Sequence, residues 1–350
     1  MLSHFMSSVT IKQLAEQLQL STATISKALC DSHEISEGTK KRVLALAKEL
    51  NYVPNAYAGS LRHNKSKTIA VLIPEITDSF FSQALNGIEE VALEKGYHTL
   101  IYLTHEKLAR EEDILKTLVG GRVDGVLMSV TVETNSFKHI YEFNQHLPIV
   151  FFDRVCPEVD AARITTDDFE CGYKATRHLI EAGCRHVILL SISNSLSIIS
   201  ERIRGFKSAI AEYDLDEHDC RVVNCTQDPL ENYRLIKAMM QSDNRPDGIV
   251  ATVEKLTTEI YLVCQQLQID IPKQVKVVCF SNQPSAVILT PSLTTITQPA
   301  FEMGKVAATT LLKLLKNNML RVKDECTVIP SKLIVRNSTT GQQADHGEPV

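Results

Sequence analysis

The sequence predicts a small all-α domain followed by a larger α/β domain that consists of two doubly wound parallel-sheet lobes. Up to about residue 54, apolar residues recur at helical spacing between turn residues. From residue 69 onward, short β-branched runs alternate with amphipathic helices, and this series occurs twice. Roughly 270 residues are too many for one such core, so we expect two lobes.

The first two predicted helices are short and joined by a tight turn. Apolar residues fall on one helical face between Ile11 and Leu18, and again between Ile25 and Leu29. Thr10 followed by Gln13 forms a capping box at the start of the first helix, and Ser21 can cap the second.

The second helix carries Thr22, Ala23, Ser26 and Lys27 on its polar face. A short cationic helix without bulky exposed side chains can lie in the major groove of DNA. A plain helical hairpin with a solvated face has the same spacing, so both interpretations stay open for this segment alone.

A third helix is predicted from Ser36, its N-cap, to Leu50. Val43 belongs to its buried stripe, Asn51 suits a left-handed position after the helix, and Pro54 prevents continuation. Three such helices can close a small core.

The charge is divided unevenly along the chain. Residues 1–68 hold nine Lys and Arg against five acids, a surplus of +4, whereas the whole chain carries −5, which leaves −9 (−5 minus +4) for the rest. A basic end on an acidic body suits a polyanionic partner that is held by the first domain.

The next segment, 55–64, is a weak helix former. Asn55 can cap a turn or two, but Gly59 and the short length make such a helix unstable alone. Either it is a plain linker, or it folds on DNA and inserts Leu61 between base pairs in the minor groove.

In the second domain the strand-like runs mark where a ligand should bind. They are 69–73, 99–103, 125–128 and 148–152, then 186–190, 221–223, 248–251 and 276–280. Ligands of open parallel sheets lie at the carboxyl ends of strands, here in the cleft between the lobes. The polar and aromatic candidates at these ends are Asp78, Phe80, Phe81, Asp153, Arg154, Asp167, Asp168, Arg202, Gln227, Asp228 and Glu254.

These motifs together resemble the lactose/galactose-repressor family of bacterial transcription regulators, over almost the whole chain. The matching runs are Val9-Thr-Ile, Leu14-Ala, Leu20-Ser, Thr24-Ile-Ser-Lys, Tyr52-Val-Pro-Asn-Ala, Ser60-Leu-Arg, Phe152-Asp-Arg, Arg204-Gly-Phe and Ser292-Leu-Thr-Thr-Ile-Thr-Gln-Pro. The resemblance implies a helix-turn-helix DNA-binding domain and a periplasmic-binding-protein-like effector domain.

The resemblance also implies which residues contact DNA. Thr22 and Ala23 would select bases, Lys27 would contact a base edge or a phosphate, and Leu61 would be the wedge. The implied contact set is Thr22, Ala23, Ser26, Lys27, Ser36, Thr39, Tyr52, Asn55, Ala58 and Leu61.

For the effector, the resemblance implies contacts in the cleft from Phe80, Asp153, Arg154, Arg202, Gln227 and Glu254. Arginine forks and carboxylates can bond vicinal hydroxyls, and an aromatic face packs on a sugar ring. The two arginines favour either a polyol or an anionic sugar such as a uronate or a sugar phosphate.

Some positions depart from the family pattern. Gln19 stands in the turn where Gly is usual, Lys27 replaces a base-reading Arg, and Gly59 replaces an Arg of the hinge. Glu254 stands where Asp is usual, which should change the size of the pocket. Residues 280–282, Phe-Ser-Asn, lack the paired acidic residues that usually end this motif in the family.

The expected domains are a tail at 1–8, the helix-turn-helix domain at 9–54, a hinge at 55–68, the effector and dimerisation domain at 69–337, and a polar tail at 338–350. The resemblance implies that the chain crosses between lobes three times, near 164–167, 289–294 and 321–327. Lobe 1 would then hold about 69–164 and 294–322, and lobe 2 about 165–290 and 326–337.

The mechanism implied is that of a homodimer that reads a pseudo-palindromic operator and changes its DNA affinity when the cleft closes on an effector. The apolar stripe of Phe81, Leu85 and Ile88 is a candidate for the dimer face, with a role in the core of its own lobe as an equal alternative.

Other classes find less support. The chain has no Gly-rich P-loop, GxSxG elbow, HExxH or Cys-x-x-Cys motif, so we expect neither an enzyme nor a metal or cofactor site. Nine dispersed cysteines and the lack of an apolar signal segment favour a cytoplasmic protein without a membrane span. The alternative function is a cytoplasmic sugar-binding protein that does not act on DNA.

Overall fold

The computed structural model describes residues 9–52, 66–193, 195–216, 218–320 and 325–340. The chain divides into two compact units, Met1–Ser66 and Lys67–Val350. The predicted tail at 1–8, the roles of Asn55, Ala58 and Leu61, and the hinge around Gly59 lie outside the described residues, as does most of the polar tail.

The first unit contains three helices: α1 (Ile11–Leu18), α2 (Thr22–Leu29) and α3 (Glu37–Glu49). At the start of α1, the backbone N–H of Thr10 donates to Gln13 Oε1 at 2.7 Å, and Thr10 Oγ1 accepts from the Gln13 N–H at 3.4 Å, which is a complete capping box. Ser21 and Ser36 cap the other two helices, as their positions predict. The caps therefore separate the helices where the sequence indicates.

The core of this unit comes from one face of each helix. Leu14 of α1, Ile25 of α2 and Val43 of α3 have no exposed surface and lie in one apolar cluster. Asn51 adopts the left-handed conformation predicted for it after α3, with φ 49°.

The second unit contains two six-stranded sheets flanked by helices. The first lobe holds β1 (Thr68–Ile73), α4 (Ser79–Glu94), β2 (His98–Leu103), α5 (Leu108–Leu118), β3 (Gly125–Met128), α6 (Lys138–Phe143), β4 (Ile149–Phe152), β5 (Ala162–Thr166), α11 (Ala300–Lys316) and β11 (Cys326–Ile329). The second holds α7 (Asp168–Glu181), β6 (Val187–Ser191), α8 (Ser197–Glu212), β7 (Val222–Asn224), α9 (Pro229–Met240), β8 (Gly248–Ala251), α10 (Leu256–Gln266), β9 (Lys276–Phe280), β10 (Thr294–Thr297), β12 (Lys332–Ile334) and α12 (Asn337–Thr340).

The strand orders are β11-β5-β4-β3-β1-β2 and β12-β10-β9-β8-β6-β7. Every pair is parallel except β10 with β12, which is antiparallel. Each sheet is thus doubly wound, and its strands end at the edge that faces the other lobe.

Two of the three predicted crossings between lobes are displaced along the sequence. The first comes after Thr166, where it is expected. The second comes at 298–299 rather than 289–294, because β10 pairs with β9 and β12 and so belongs to the second lobe. The third comes at 330–331, because β11 pairs with β5 of the first lobe. The prediction is therefore wrong for residues 294–297, which belong to the second lobe, and for residues 326–329, which belong to the first.

The apolar stripe on α4 lies in the core of the first lobe. Phe81, Leu85 and Ile88 are all buried and share a cluster with Met303 and Ala307 of α11. Of the two interpretations of this stripe, the structure supports the core role, because α11 covers the face that a partner subunit would need.

Candidate DNA interface and effector site

The predicted DNA-contacting residues that the structure describes lie on α2 and around α3. Thr22 and Ala23 are exposed, whereas Ser26 and Lys27, one turn later, are half-buried. Small side chains at the exposed start of a helix let its backbone approach base edges closely. The order of exposure therefore matches a helix that reads DNA with its first turn.

The supporting residues Ser36, Thr39 and Tyr52 are placed by the third helix. Ser36 is the exposed N-cap of α3, and its Oγ accepts from the Thr39 N–H at 3.4 Å. Tyr52 is half-buried against the core, and its N–H donates to the Ala47 carbonyl at 2.8 Å. Polar groups at a helix N-terminus are suited to a phosphate oxygen.

Two lysines of this unit are held in ion pairs. The Lys27 ammonium donates to the Glu34 carboxylate, and the Lys40 ammonium lies 2.7 Å from Asp31 Oδ1 and 2.8 Å from Glu37 Oε1. A phosphate or base that binds Lys27 must therefore compete with Glu34.

The turn before α2 uses a strained residue. Gln19 has φ 55°, a left-handed conformation that costs a non-glycine residue about 1–2 kcal/mol. The turn keeps the geometry that a glycine would adopt freely, so the departure at Gln19 changes the cost of the turn and not its shape.

In the second unit, a small cavity of about 30 Å³ lies between the two lobes. Five of the six predicted effector residues line it, together with nine others. The full lining is Asp78, Phe80, Phe81, Asp153, Arg154, Ile198, Arg202, Thr252, Val253, Glu254, Phe280, Ser281, Asn282 and Gln298. Gln227 does not line this cavity; its Oε1 accepts from Lys255 Nζ at 2.6 Å.

Arg202 of α8 is 2 % exposed and is fixed on three sides. Its Nε donates to Asp168 Oδ1 at 2.8 Å and its Nη1 to the Thr252 carbonyl at 2.7 Å, while the guanidinium lies 4.1 Å from the Phe280 ring centroid. Nη2 has no hydrogen-bond partner among the described residues. A buried donor of this kind needs an acceptor, which a ligand can supply.

Arg154 is held in a similar way after β4. Its Nη1 donates to both carboxylate oxygens of Glu106, at 2.8 and 3.0 Å, and its Nε is unpartnered within the described part of the chain. The preceding Asp153 has φ 61°, is buried and lines the cavity. Burial raises the pKa of Asp153 to about 7, against the opposite effect of Arg154 and Arg202.

Two further carboxylates meet at the start of α4. Asp78 caps this helix by accepting from the Phe80 N–H at 2.9 Å. Glu254, from the other lobe, accepts from the Ser79 N–H at 2.6 Å through Oε1 and from the Asn282 N–H at 3.2 Å through Oε2. Burial and then the nearby Glu254 charge raise the pKa of Asp78 to about 6.

Asn282 and Gln298 line the cavity but do not belong to the predicted effector contacts. The Asn282 Nδ2 donates to Gln83 Oε1 at 2.9 Å and to the Gln298 carbonyl at 2.7 Å, and the Gln298 Nε2 lies 3.5 Å from Asp153 Oδ1. Asn282 lies two residues after β9, where the strand-end rule would have found it, whereas Gln298 follows β10, which is not among the predicted strands.

No helix within the described ranges is long and apolar enough to cross a bilayer. In the same part of the chain, no cluster of three His, Cys, Asp or Glu side chains has the arrangement of a metal site.

Comparison with known proteins agrees with both units. Residues 10–55 match the bacterial regulatory proteins of the lacI family, and residues 176–339 match a periplasmic binding protein-like domain. A ribose operon repressor from Halalkalibacterium halodurans is 30% identical over 333 residues, which is 95% of this chain and 97% of that protein.

Solved structures share the fold. The lac repressor dimer bound to operator and the anti-inducer ONPF has a TM-score of 0.80 at 18% identity and covers 95% of this chain and 99% of its own. A lacI-family regulator from Enterococcus faecium with bound ribose has a TM-score of 0.68 at 24% identity, covering 79% and 100%.

Three findings lead to one conclusion. They are the capped helix pair whose second helix begins with exposed residues, the two parallel-sheet lobes around a polar cavity, and the near full-length similarity to a repressor. The chain belongs to the lacI family of bacterial regulatory proteins, which are DNA-binding transcription regulators and not enzymes.

Proposed function

We propose that this protein is a homodimeric transcriptional repressor whose affinity for its operator is controlled by a small sugar-class effector in the cavity between the lobes. The observation that carries the effector part is that two buried arginines, Arg154 and Arg202, line the same cavity, and each has one N–H without a hydrogen-bond partner among the described residues. Hydroxyl oxygens of a sugar are suitable acceptors. Relatives named ribose operon repressor, and structural neighbours with bound ribose or cellobiose, support this class.

In this proposal residues 9–54 read DNA, 55–68 form the hinge, and 69–337 bind the effector and the second subunit, all in the cytoplasm where the operator is accessible. Thr22 and Ala23 select bases, and Ser26, Lys27, Ser36, Thr39, Tyr52, Asn55, Ala58 and Leu61 complete the DNA contacts. Phe80, Asp153, Arg154, Arg202 and Glu254 bind the effector. Gln227, which accepts from Lys255 and does not line the cavity, is left out of this set.

The test is a fluorescence-anisotropy titration of duplexes from the gene's own upstream region, with and without a panel of sugars. We expect specific, salt-sensitive binding that one sugar class changes several-fold to a hundredfold, because coupling of about 1–3 kcal/mol has this effect. Failure to bind any duplex, with a sugar still bound, would establish instead a sugar-binding protein without a DNA function.

Arg202→Ala should abolish the effector response while effector-free operator binding stays within about twofold, since Arg202 lies in the second unit's cavity. Arg204→Ala is the matched control: this arginine on the same helix is exposed and pairs with Glu201. A normal response in the Arg202 variant, with circular dichroism showing a folded protein, would remove Arg202 from the site.

A further inference from the structure

The cavity between the lobes contains more negative than positive charge. Three carboxylates line it, from Asp78, Asp153 and Glu254, against two guanidinium groups, from Arg154 and Arg202. No lysine or histidine belongs to its described lining. The nearby Lys255 ammonium lies 3.5 Å from Glu75 at the rim.

Both arginines are already paired with acids behind the cavity. Glu106 accepts two hydrogen bonds from Arg154, and Asp168 accepts one from Arg202. These carboxylates neutralise the guanidinium charges at distances of 2.8–3.0 Å, and the Arg154 Nε is 3.9 Å from Asp153 Oδ2. The arginines therefore act mainly as hydrogen-bond donors, and they compensate little of the negative charge of the three lining acids.

The three lining acids differ in how well they are compensated. Glu254 accepts from the Ser79 and Asn282 backbone and from the Ser281 hydroxyl. Asp78 accepts one backbone N–H at the start of α4, and Asp153 has one amide 3.5 Å away and the Arg154 Nε at 3.9 Å. Burial with so few donors destabilises their charged forms, and their raised pKa values have the same cause.

We infer that the effector is a sugar or polyol that carries a protonated amino group, with its ammonium toward Asp78 and Asp153 and its hydroxyl oxygens toward the free N–H groups of Arg154 and Arg202. This inference rests on the proposed function and narrows its effector class. An ammonium supplies the missing cation and donates to two carboxylates at once. An anionic sugar would add like charge to a cavity that already has an excess of acids.

The test compares sugars in matched sets of three. Glucose, galactose and mannose are each measured with their 2-amino-2-deoxy and uronic acid forms, by calorimetry on the full-length protein in phosphate buffer. Tris is left out because it is itself a hydroxylated amine. We expect at least one amino sugar to bind tenfold or more tightly than its neutral parent, and the uronates to bind most weakly.

Asp78→Asn should reduce that preference at least tenfold, because Asn keeps the helix cap and removes the charge. Asp228→Asn is the matched control, since Asp228 caps α9 by the same contact, from the Leu230 N–H at 2.8 Å, on the exposed surface. The control should keep the full preference.

The inference is overturned if no amino sugar binds, if a neutral parent binds at least as tightly, or if Asp78→Asn leaves the preference intact. A neutral sugar that binds and changes operator affinity would refute the inference while leaving the proposed function standing. Loss of operator binding itself would refute the proposed function.

Discussion

At the scale of single residues, Asp78 combines a structural role with an electrostatic one. Its carboxylate caps α4, which stabilises the helix, but it is buried beside Glu254 and disfavoured as an anion. A carboxyl whose pKa is higher in the folded than in the unfolded chain makes the protein more stable at low pH. Asp78 should therefore weaken the fold as it ionises.

We expect the stability difference between Asp78→Asn and the native protein to depend on pH. The pKa of Asp78 is about 6 when folded, against 3.8 for the ordinary group, so its stabilisation is complete below about pH 4 and is lost as pH rises through 6. Between pH 4 and 7, the free energy of unfolding of the Asn variant should rise by roughly 2–4 kcal/mol relative to that of the native protein. Burial is the main cause of the raised pKa; the Glu254 and Glu75 charges add to it, whereas the Phe80 N–H and Arg154 oppose it.

Urea unfolding of both proteins at half-unit pH steps measures this difference. The Asp228→Asn control, on an exposed cap, should show a difference that is flat to within about 0.5 kcal/mol. A flat difference for Asp78→Asn as well would mean that the carboxylate is compensated in the folded state.

At the scale of elements, each lobe is built on a helix pair in close contact through glycines. A Cβ on Gly87 of α4 would lie 2.0 Å from the Phe301 carbonyl oxygen, and one on Gly304 of α11 would lie 2.0 Å from the Ala84 oxygen. In the second lobe, Gly172 of α7 and Gly205 of α8 show the same reciprocal arrangement. Backbone meets backbone in these pairs, so no flexible side chain can move aside.

Gly304→Ala should lower the free energy of unfolding by about 1–3 kcal/mol or more, because α4 and α11 must separate to admit the methyl group. Gly38→Ala in α3 is the matched control: nothing lies within 4 Å of its Cβ position, and replacing a helical glycine should stabilise by up to about 1 kcal/mol. Thermal unfolding followed by circular dichroism distinguishes the expected loss of stability in Gly304→Ala from the expected gain in Gly38→Ala. A neutral Gly304→Ala would show that the helix pair can relax.

At the scale of the whole second unit, polar and apolar contacts join the lobes around the cavity. Glu254 bridges the Ser79 N–H of the first lobe and the Asn282 N–H of the second, and Gln83 pairs with Asn282 across the same cleft. The start of α8 also adds Ile199 to an apolar cluster that contains strands of the first lobe. The cleft therefore closes through contacts made by the protein itself.

Glu254→Asp should shift the effector-free protein toward an open cleft. The side chain is shorter by one methylene, about 1.5 Å, so one carboxylate cannot serve both lobes at 2.6 and 3.2 Å. Loss of a charge-assisted hydrogen bond of about 1.5–3 kcal/mol corresponds to tenfold to a hundredfold in the opening equilibrium. Faster hydrogen exchange at the Ser79 amide is the expected signal.

Glu231→Asp provides the comparison, because Glu231 of α9 is exposed and bonds Thr226 within its own lobe. Unchanged exchange at Ser79 in the Glu254 variant, together with unchanged small-angle scattering, would show that the apolar contacts alone keep the cleft closed.

The local structure of this protein is a property of its sequence. Helix caps at Thr10, Ser21 and Ser36, and the strand patterns of β1–β4 and β6–β9, act between residues a few positions apart, so they could be predicted without coordinates. The family motifs and the strand-end rule likewise predicted six effector residues, and five of them line the cavity.

The tertiary structure decided which groups face one another across long stretches of chain. Residues 294–297 and 326–329 belong to the sheets that contain their pairing partners. Arg154 pairs with Glu106, which is 48 positions away, and Glu254 accepts from Ser79, which is 175 positions away. The pairings of Arg154 with Glu106 and of Arg202 with Asp168 turn two arginines, which in the sequence favour a polyol or an anionic sugar, into neutralised donors in an acidic cavity. Electrostatic balance depends on distances in space, and a sequence contains no such distances until the chain has folded.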